Sequence, residues 1–205
     1  YADLLAADVL VIADSTNWEV GIPAFTTSLR GVAELFVEVR THVGEQHSGM
    51  YGGLFPDALT ALCRLLGGVL DEAGDVAVPG LVHGPVPEVE VDETALRADA
   101  GVLEGVGSIG TGSAAERLWS RPAVTVLGID APRPEAAANV LLPLARAKVS
   151  LRIAPGQDPV AGQRALADHL VASAPWGVTV TCVPGATGNA VALVPSGPRA
   201  DIARE

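Results

Sequence analysis

Positive charge and cysteine are both scarce in this 205-residue sequence, and each shortage excludes a class of function. Its 13 lysine and arginine residues are scattered among 24 aspartate and glutamate residues, giving a net charge of -11. Nucleic-acid binding needs clustered cations against the phosphates, so no nucleic-acid partner is expected. Cys63 and Cys182 lie in apolar patterns without the spacing of a disulfide framework or a zinc site. We therefore expect buried free thiols and a reducing, cytoplasmic environment.

Long hydrophobic runs are missing as well. No apolar run approaches the roughly 20 residues that a membrane-spanning helix requires, so no membrane partner is expected. No basic segment precedes an apolar one at the N-terminus, so no signal peptide is visible. Hydrophobic residues make up 49% of the chain, which suits a soluble globular core. Since the only methionine is Met50 and the chain opens on Tyr1, we expect a fragment or a trimmed product.

Hydrophobic patterns in the first half predict strands and then a helix. A continuous apolar run over 7–13 is typical of a buried strand, and it ends at the carboxylate of Asp14. Residues 29–40 alternate between apolar and polar, which predicts a half-solvated strand. From Pro56 the period becomes helical. The predicted apolar stripe of this helix comprises Leu59, Leu62, Cys63, Leu66, Val69 and Leu70.

The second half repeats this order after a Pro- and Gly-rich connection over 79–87. A helix is predicted around 93–103. The later patterns predict strands over 123–129 and 148–153, a helix beginning at Asp158–Pro159 and a strand over 178–183. The core order is strand, helix, strand, strand, helix, strand. This order predicts an α+β fold, a ferredoxin-like βαββαβ sandwich with a four-stranded antiparallel sheet and two helices on one face.

Three parts follow from these patterns. We predict a sandwich domain over 21–187, with an irregular or helical insertion at about 75–120. Residues 1–20 and 188–205 are predicted to be stubs of a separate α/β domain into which the sandwich domain is inserted.

The most distinctive motif is QHSGMYGG, residues 46–53, directly after the long alternating strand. A histidine in a flexible, glycine-rich turn is placed for chemistry rather than for packing. A lone surface histidine more commonly has no role, and the residues by themselves leave both interpretations open. The glycine-rich stretch Gly107–Gly112 superficially suggests a phosphate loop, but it lacks the preceding apolar strand and the lysine.

Four segments, taken in order, resemble metallopeptidase family twenty and its carnosinase-type dipeptidases. They are Ile12-Ala13-Asp14; TTSLRG at 26–31; HSG at 47–49 with Gly52-Gly53; and Asn139 followed by SLR at 150–152 and Pro155. The resemblance covers essentially the whole chain. It implies the lid and dimerisation domain of a hydrolase whose α/β catalytic domain holds two zinc ions. The two predicted stubs would be parts of that catalytic domain.

The resemblance also implies roles for four residues. Asp14 matches a zinc ligand of the family. His47 matches the histidine that the lid reaches across to the partner subunit's active site, where an imidazole can stabilise an oxyanion. Arg152 matches the position that grips a substrate carboxylate, a task suited to guanidinium; a surface ion pair is the alternative. Asn139 matches a substrate-contact position that is threonine in carnosinases and asparagine in several relatives.

Two alternatives stay open beside the dipeptidase lid. Asn139 leaves room for the lid of an N-acyl-amino-acid deacylase or desuccinylase of the same family, whereas Trp18 and the 75–120 insertion favour the dipeptidase branch. From another class comes a free-standing ferredoxin-like binding or regulatory module.

The sequence has no His-x-Asp or Glu-Glu motif, so the resemblance places the other metal ligands and the catalytic glutamate outside it. We expect the isolated chain to be inactive and to hold no stoichiometric zinc, and we expect it to form a homodimer through the lid. The full-length parent would hydrolyse small peptides or N-acyl amino acids with metal-activated water.

Overall fold

The computed structural model describes residues 4–7, 21 and 24–204. The chain divides into two compact units, one formed by Ser28–Ala192 and the other by Tyr1–Thr27 with Leu193–Glu205. Most of the predicted strand over 7–13, together with Asp14 and Trp18, lies outside the described residues. The prediction that the flanks are stubs of a catalytic domain stays a prediction.

The described residues form eight strands and five helices, and short helical turns lie between some of them. The strands are β1 (Ser28–Leu29), β2 (Gly31–Arg40), β3 (Gln46–His47), β4 (Ala123–Asp130), β5 (Val140–Leu141), β6 (Leu144–Ile153), β7 (Thr179–Gly188) and β8 (Val191–Ala192). The helices are α1 (Ser48–Tyr51), α2 (Ala58–Gly67), α3 (Glu93–Asp99), α4 (Pro159–Ala172) and, in the second unit, α5 (Pro198–Arg204).

The four longest strands form one antiparallel sheet in the order β4-β6-β2-β7. In chain order the four core strands are β2, β4, β6 and β7. The first of them, β2, lies between the third, β6, and the fourth, β7, which is the ferredoxin-like arrangement. Helix α2 packs against β2 and β6, and α4 packs against β2 and β7. The predicted fold and the predicted order of core elements are confirmed.

The alternation in β2 explains why both helices occupy one face. Its odd-numbered residues from 31 to 39 are buried, whereas its even-numbered residues are partly or fully exposed. Successive side chains of a strand point to opposite faces, so the buried residues meet the two helices. The opposite face of the sheet carries the even-numbered side chains, and we call it the open face.

The stripe that α2 buries overlaps the predicted one only in part: Leu62 and the following Val69 are buried as predicted. Its side chains buried against the sheet are Ala58, Ala61, Leu62 and Leu65. Alanines at two of these positions let the helix backbone approach the sheet closely, which rotates the helix away from the predicted phase. Leu59 and Leu66 are only partly buried, and Cys63 is exposed.

The prediction of two buried thiols is therefore wrong for Cys63, and Cys182 is half-buried. Burial, and to a smaller extent the charge of Asp168, raise the pKa of the Cys182 thiol to about 11. Because the thiolate is the reactive form, brief iodoacetamide treatment of the native protein at about pH 8 should modify Cys63 well before Cys182. Peptide mass mapping measures both rates, and Cys63→Ser should remove the fast phase. Equal rates would contradict the burial of Cys182.

Residues 68–122 connect α2 to β4 and include the stretch of about 75–120 that is predicted to be an irregular or helical insertion, and we call this connection the insertion. Helix α3 is its only α-helix among the described residues and ends at Asp99, earlier than predicted, because Gly101 adopts a left-handed φ of 63°. Arg121 donates to Asp75 at 2.9 Å and to Glu116 at 2.7 Å, which fastens the two ends of the insertion to each other.

The glycine-rich stretch 107–112 contributes hydrogen bonds to the same Asp75 carboxylate. The Thr111 backbone N–H and hydroxyl donate to the Asp75 carboxylate at 3.0 and 2.6 Å. Hydrogen bonds from Thr111, together with the Arg121 guanidinium, hold the pKa of Asp75 below its usual value. The stretch thus binds a carboxylate of its own chain. Across all described residues, the helices are too short or too polar to cross a membrane.

Candidate functional site

His47 lies where β3 passes into α1, and it is exposed. It pairs with Val140 of β5 and caps the first turn of α1. The Gly49 backbone N–H donates to His47 Nδ1 at 3.1 Å. With Nδ1 as the acceptor, the neutral ring carries its proton on Nε2. The turn therefore selects the tautomer in which Nε2–H is the donor that His47 offers to a ligand.

The glycines around His47 make a close-packed turn. A Cβ on Gly49 would lie 2.9 Å from His47 Cε1, and one on Gly52 would overlap the Ser48 carbonyl oxygen. Gly53 has a φ of 84°, which favours glycine. These glycines serve close approach within the turn, and they bring the imidazole and the short helix together.

Asn139 lies beside His47. The Ser48 backbone N–H and hydroxyl both donate to the Asn139 carbonyl oxygen, at 3.0 and 2.8 Å. The Asn139 residue is exposed, like His47. The structure thus brings together two residues that the sequence assigned to the site separately, and we call this pair with its turn the His47–Asn139 end.

Asp57 fixes this end, and sequence reasoning missed it. Its carboxylate accepts from the Thr60 N–H at 2.7 Å as the N-cap of α2, and from the Leu142 N–H at 2.7 Å. The Ala58 N–H donates back to the Leu142 carbonyl at 3.0 Å. Helix α2 therefore anchors the segment that carries Asn139. An aspartate directly before a helical pattern was the available signal, but it predicts only the cap.

Exposed apolar side chains lie on both sides of His47 in the sequence. Met50 and Leu54 have exposed fractions of 72% and 76%. Large apolar patches on a surface mark contacts with another macromolecule. We define the apolar rim as Val43, Met50, Tyr51, Leu54 and Phe55, all exposed.

Arg152 lies far from this end within one chain. It is exposed on the open face of β6, where Val32 and Ala123 are its neighbours in the adjacent strands. The segment containing Asn139 joins β6 at its start, near Leu144. The eight steps from Leu144 to Arg152, at about 3.4 Å each in an antiparallel strand, amount to roughly 27 Å. One subunit therefore presents Arg152 and the His47–Asn139 end at opposite ends of the same strand.

Other cations on the open face have carboxylate partners. Arg146 donates to Glu38 at 2.7 Å, and Lys148 lies 2.9 Å from Glu34. Hydrogen bonds from Arg146 and then Arg40 hold the pKa of Glu38 below its usual value. Among the described residues, Arg152 pairs with no carboxylate. The alternative interpretation of Arg152 as a surface ion pair finds no support here.

Metal-binding groups do not converge among the described residues, where no cluster of three or more His, Cys, Asp or Glu side chains could hold a metal ion. Asp14, the predicted zinc ligand, lies outside those residues. The described part of the chain therefore does not supply a metal centre by itself.

Comparisons with known proteins agree with the fold. The chain is 37% identical over 199 residues to the cysteinylglycine-S-conjugate dipeptidase of Corynebacterium striatum, covering 96% of this chain and 44% of the relative. It is 27% identical over 176 residues to the human β-Ala-His dipeptidase, covering 80% of this chain and 34% of that protein. The chain thus spans less than half the length of these relatives.

Solved structures share the architecture. The dipeptidase Dug1p of Saccharomyces cerevisiae superposes with a TM-score of 0.67 at 20% identity, and human carnosine dipeptidase 1 with 0.66 at 22%. Each match covers 84% of this chain and 39% of the other. The family model of the peptidase dimerisation domain matches residues 27–178. Because this match covers most of the sequence, the chain belongs to the peptidase dimerisation domain family.

Proposed function

We propose that this chain is the dimerisation and substrate-binding lid of a dipeptidase that hydrolyses peptide bonds with two zinc ions. The observation that carries this proposal is the separation of the His47–Asn139 end from Arg152. A fully extended dipeptide spans only about 7 Å, whereas about 27 Å of β6 lie between Leu144, where the Asn139 segment joins the strand, and Arg152. Both can bind one substrate only if they come from different subunits. His47 and Asn139 are therefore contributed in trans, and Arg152 in cis.

Hydrolysis adds water to the peptide carbonyl carbon and places negative charge on the carbonyl oxygen; the proton lost by the water then goes to the leaving nitrogen as the C–N bond breaks. His47 Nε2–H suits the stabilisation of that charge, because an oriented donor strengthens as the charge develops. Arg152 binds the substrate's C-terminal carboxylate, for which its planar guanidinium, without a carboxylate partner among the described residues, is suited. Asp14 and residues outside this sequence would hold the metal ions, which would supply the activation of the water together with a glutamate.

The partner in this proposal is a second copy of the chain, and the apolar rim supports it. Burying the rim against the partner would carry His47 across the interface with it. Sedimentation of the purified chain should show a dimer, and Leu54→Asp should weaken it. Val160→Asp, at an exposed position of α4, is the matched control and should leave the dimer intact. A wild-type chain that stays monomeric at high concentration would contradict the proposal.

The names of the relatives support a dipeptide substrate. The similar proteins are named for cysteinylglycine S-conjugates, Cys-Gly and β-Ala-His. We expect the full-length protein to hydrolyse Cys-Gly or β-Ala-His faster than N-acetylated amino acids. Hydrolysis of N-acyl amino acids alone would instead assign the lid to a deacylase. A cytoplasmic location and the inactivity of the isolated chain belong to the same proposal.

A further inference from the structure

Arginines from three neighbouring chain segments gather at the Arg152 end of the sheet. Arg152 faces Val32 of β2 on one side and Ala123 of β4 on the other. Arg30, between β1 and β2, and Arg121, whose backbone is extended, each lie two residues before one of these neighbours. A period of two places them on the same face as Arg152. Three arginines therefore lie at this end of the sheet, and the Arg121 guanidinium is held by Asp75 and Glu116 of the insertion.

Backbone carbonyls fix the Arg30 side chain. Arg30 Nη1 donates to the carbonyl oxygen of Arg121 at 3.3 Å and to that of Arg117 at 3.5 Å. These carbonyls belong to the end of the insertion, so Arg30 reaches past the end of β6 to meet them. The side chain is half-buried and spans the distance between β2 and the insertion.

The backbone at Gly31 sets the starting point of that side chain. A Cβ at this position would lie 2.7 Å from Ile153 Cγ1 and 2.6 Å from the Gly188 carbonyl oxygen. The chain is therefore packed tightly between β6 and the end of β7. Arg30 leaves a rigid corner of the sheet, which limits the directions that its guanidinium can take.

Charge is balanced at two of the arginines that meet here. Arg121 pairs with Asp75 and Glu116, and Arg117 donates to Glu93 at 2.9 Å. Arg30 bonds to carbonyls only, and Arg152 has no carboxylate partner among the described residues. Within the part of the chain that the structure describes, these two positive charges therefore have no carboxylate partner. Burial, and then the neighbouring Arg152 charge, lower the pKa of Arg30, as expected for two cations in proximity.

We propose that Arg30 is a positioning residue of the carboxylate site at Arg152, and that it makes this site selective for an anionic substrate end over its neutral amide. Held by the two carbonyls, it keeps a second positive charge beside Arg152. A bound carboxylate is attracted by both cations and relieves their mutual repulsion. The inference rests on the proposed function, in which Arg152 grips the substrate carboxylate.

The test compares Cys-Gly with its C-terminal amide in the full-length enzyme. Arg30→Gln retains N–H donors for the carbonyls but removes the charge. It should raise KM for Cys-Gly about tenfold and leave both its kcat and the KM of the amide unchanged. Arg30→Lys restores the charge and should restore the preference for the free acid.

Arg97→Met is the matched control. Arg30 and Arg97 both line a cavity between the sheet and the insertion. Like Arg30, Arg97 donates to a backbone carbonyl, that of Val106, at 2.6 Å. It lies on α3, outside the group that meets at Arg152. Its loss should leave the acid-to-amide preference at the wild-type value. Thermal unfolding checks that each variant folds.

Different outcomes separate this inference from the proposed function. If Arg152→Met abolishes the acid preference and Arg30→Gln does not, Arg30 has no positioning role and the proposed function stands. If Arg30→Gln lowers kcat/KM equally for Cys-Gly and for its amide, Arg30 has only a structural role and the inference is overturned. If Arg152→Met leaves the acid preference intact, both fall. Should Arg30→Gln not fold, Arg30→His replaces it. The preference of this variant for Cys-Gly over its amide should be larger at about pH 6, where histidine is charged, than at pH 8. A preference that does not change with pH would overturn the inference.

Discussion

Replacing His47 by alanine in the full-length protein is expected to lower kcat about 100- to 1,000-fold, the cost of losing one oxyanion donor. The physical reason is the fixed tautomer: the Gly49 N–H occupies Nδ1 and leaves Nε2–H as the donor. The ground-state carbonyl carries little charge, so KM should change far less than kcat. The metal content should stay at the wild-type value, because His47 is no metal ligand in this proposal.

Steady-state kinetics and elemental analysis of the metal check this prediction together. The control is His83→Ala, which removes an exposed histidine in the 79–87 connection. It should leave kcat and metal content at the wild-type values. Normal turnover of His47→Ala would remove His47 from the mechanism, and a matching loss of metal would make it a ligand instead.

Replacing Arg152 by methionine is expected to lower kcat/KM for Cys-Gly by about 10- to 150-fold, since a charge-assisted hydrogen-bond pair contributes about 1.5–3 kcal/mol. The loss should come mainly through KM and should vanish with the C-terminal amide of the same dipeptide. Methionine retains much of the apolar stem, so the sheet should remain folded.

Arg146→Met is the matched control for Arg152. Both arginines lie on the open face of β6, but Arg146 is paired with Glu38 and its side chain is 53% exposed. Exposed ion pairs contribute little, so this change should leave the kinetics unaltered. An equal effect of both variants on KM would indicate a general change of surface potential rather than a carboxylate site.

Period and caps made the core elements predictable from the sequence. The alternation over 29–40 became a strand with alternating burial, and Asp158 caps α4 by accepting from the Ala161 N–H at 2.7 Å. The phase of α2 could not be derived, because hydrophobicity ranks leucine above alanine. Close packing against the sheet selected Ala58 and Ala61 and left Cys63 exposed.

The candidate site was predictable as single residues but not as an arrangement. Ser48 and Asn139 are 91 residues apart in the sequence, as are Arg30 and Arg121, and only the folded sheet brings each pair together. The same sheet separates Arg152 from the His47–Asn139 end. Because of that separation, the proposed function requires a dimer in which His47 and Arg152 of one site come from different subunits, independently of the family resemblance.

Subunit complementation tests the trans arrangement most directly. Mixed dimers of His47→Ala and Arg152→Met subunits contain one site in which His47 and Arg152 are both intact. Random exchange forms such dimers about half of the time, so the mixture should recover about a quarter of the wild-type activity. Activity no higher than the mean of the two separate variants would contradict the arrangement and place His47 and Arg152 in the same subunit's site.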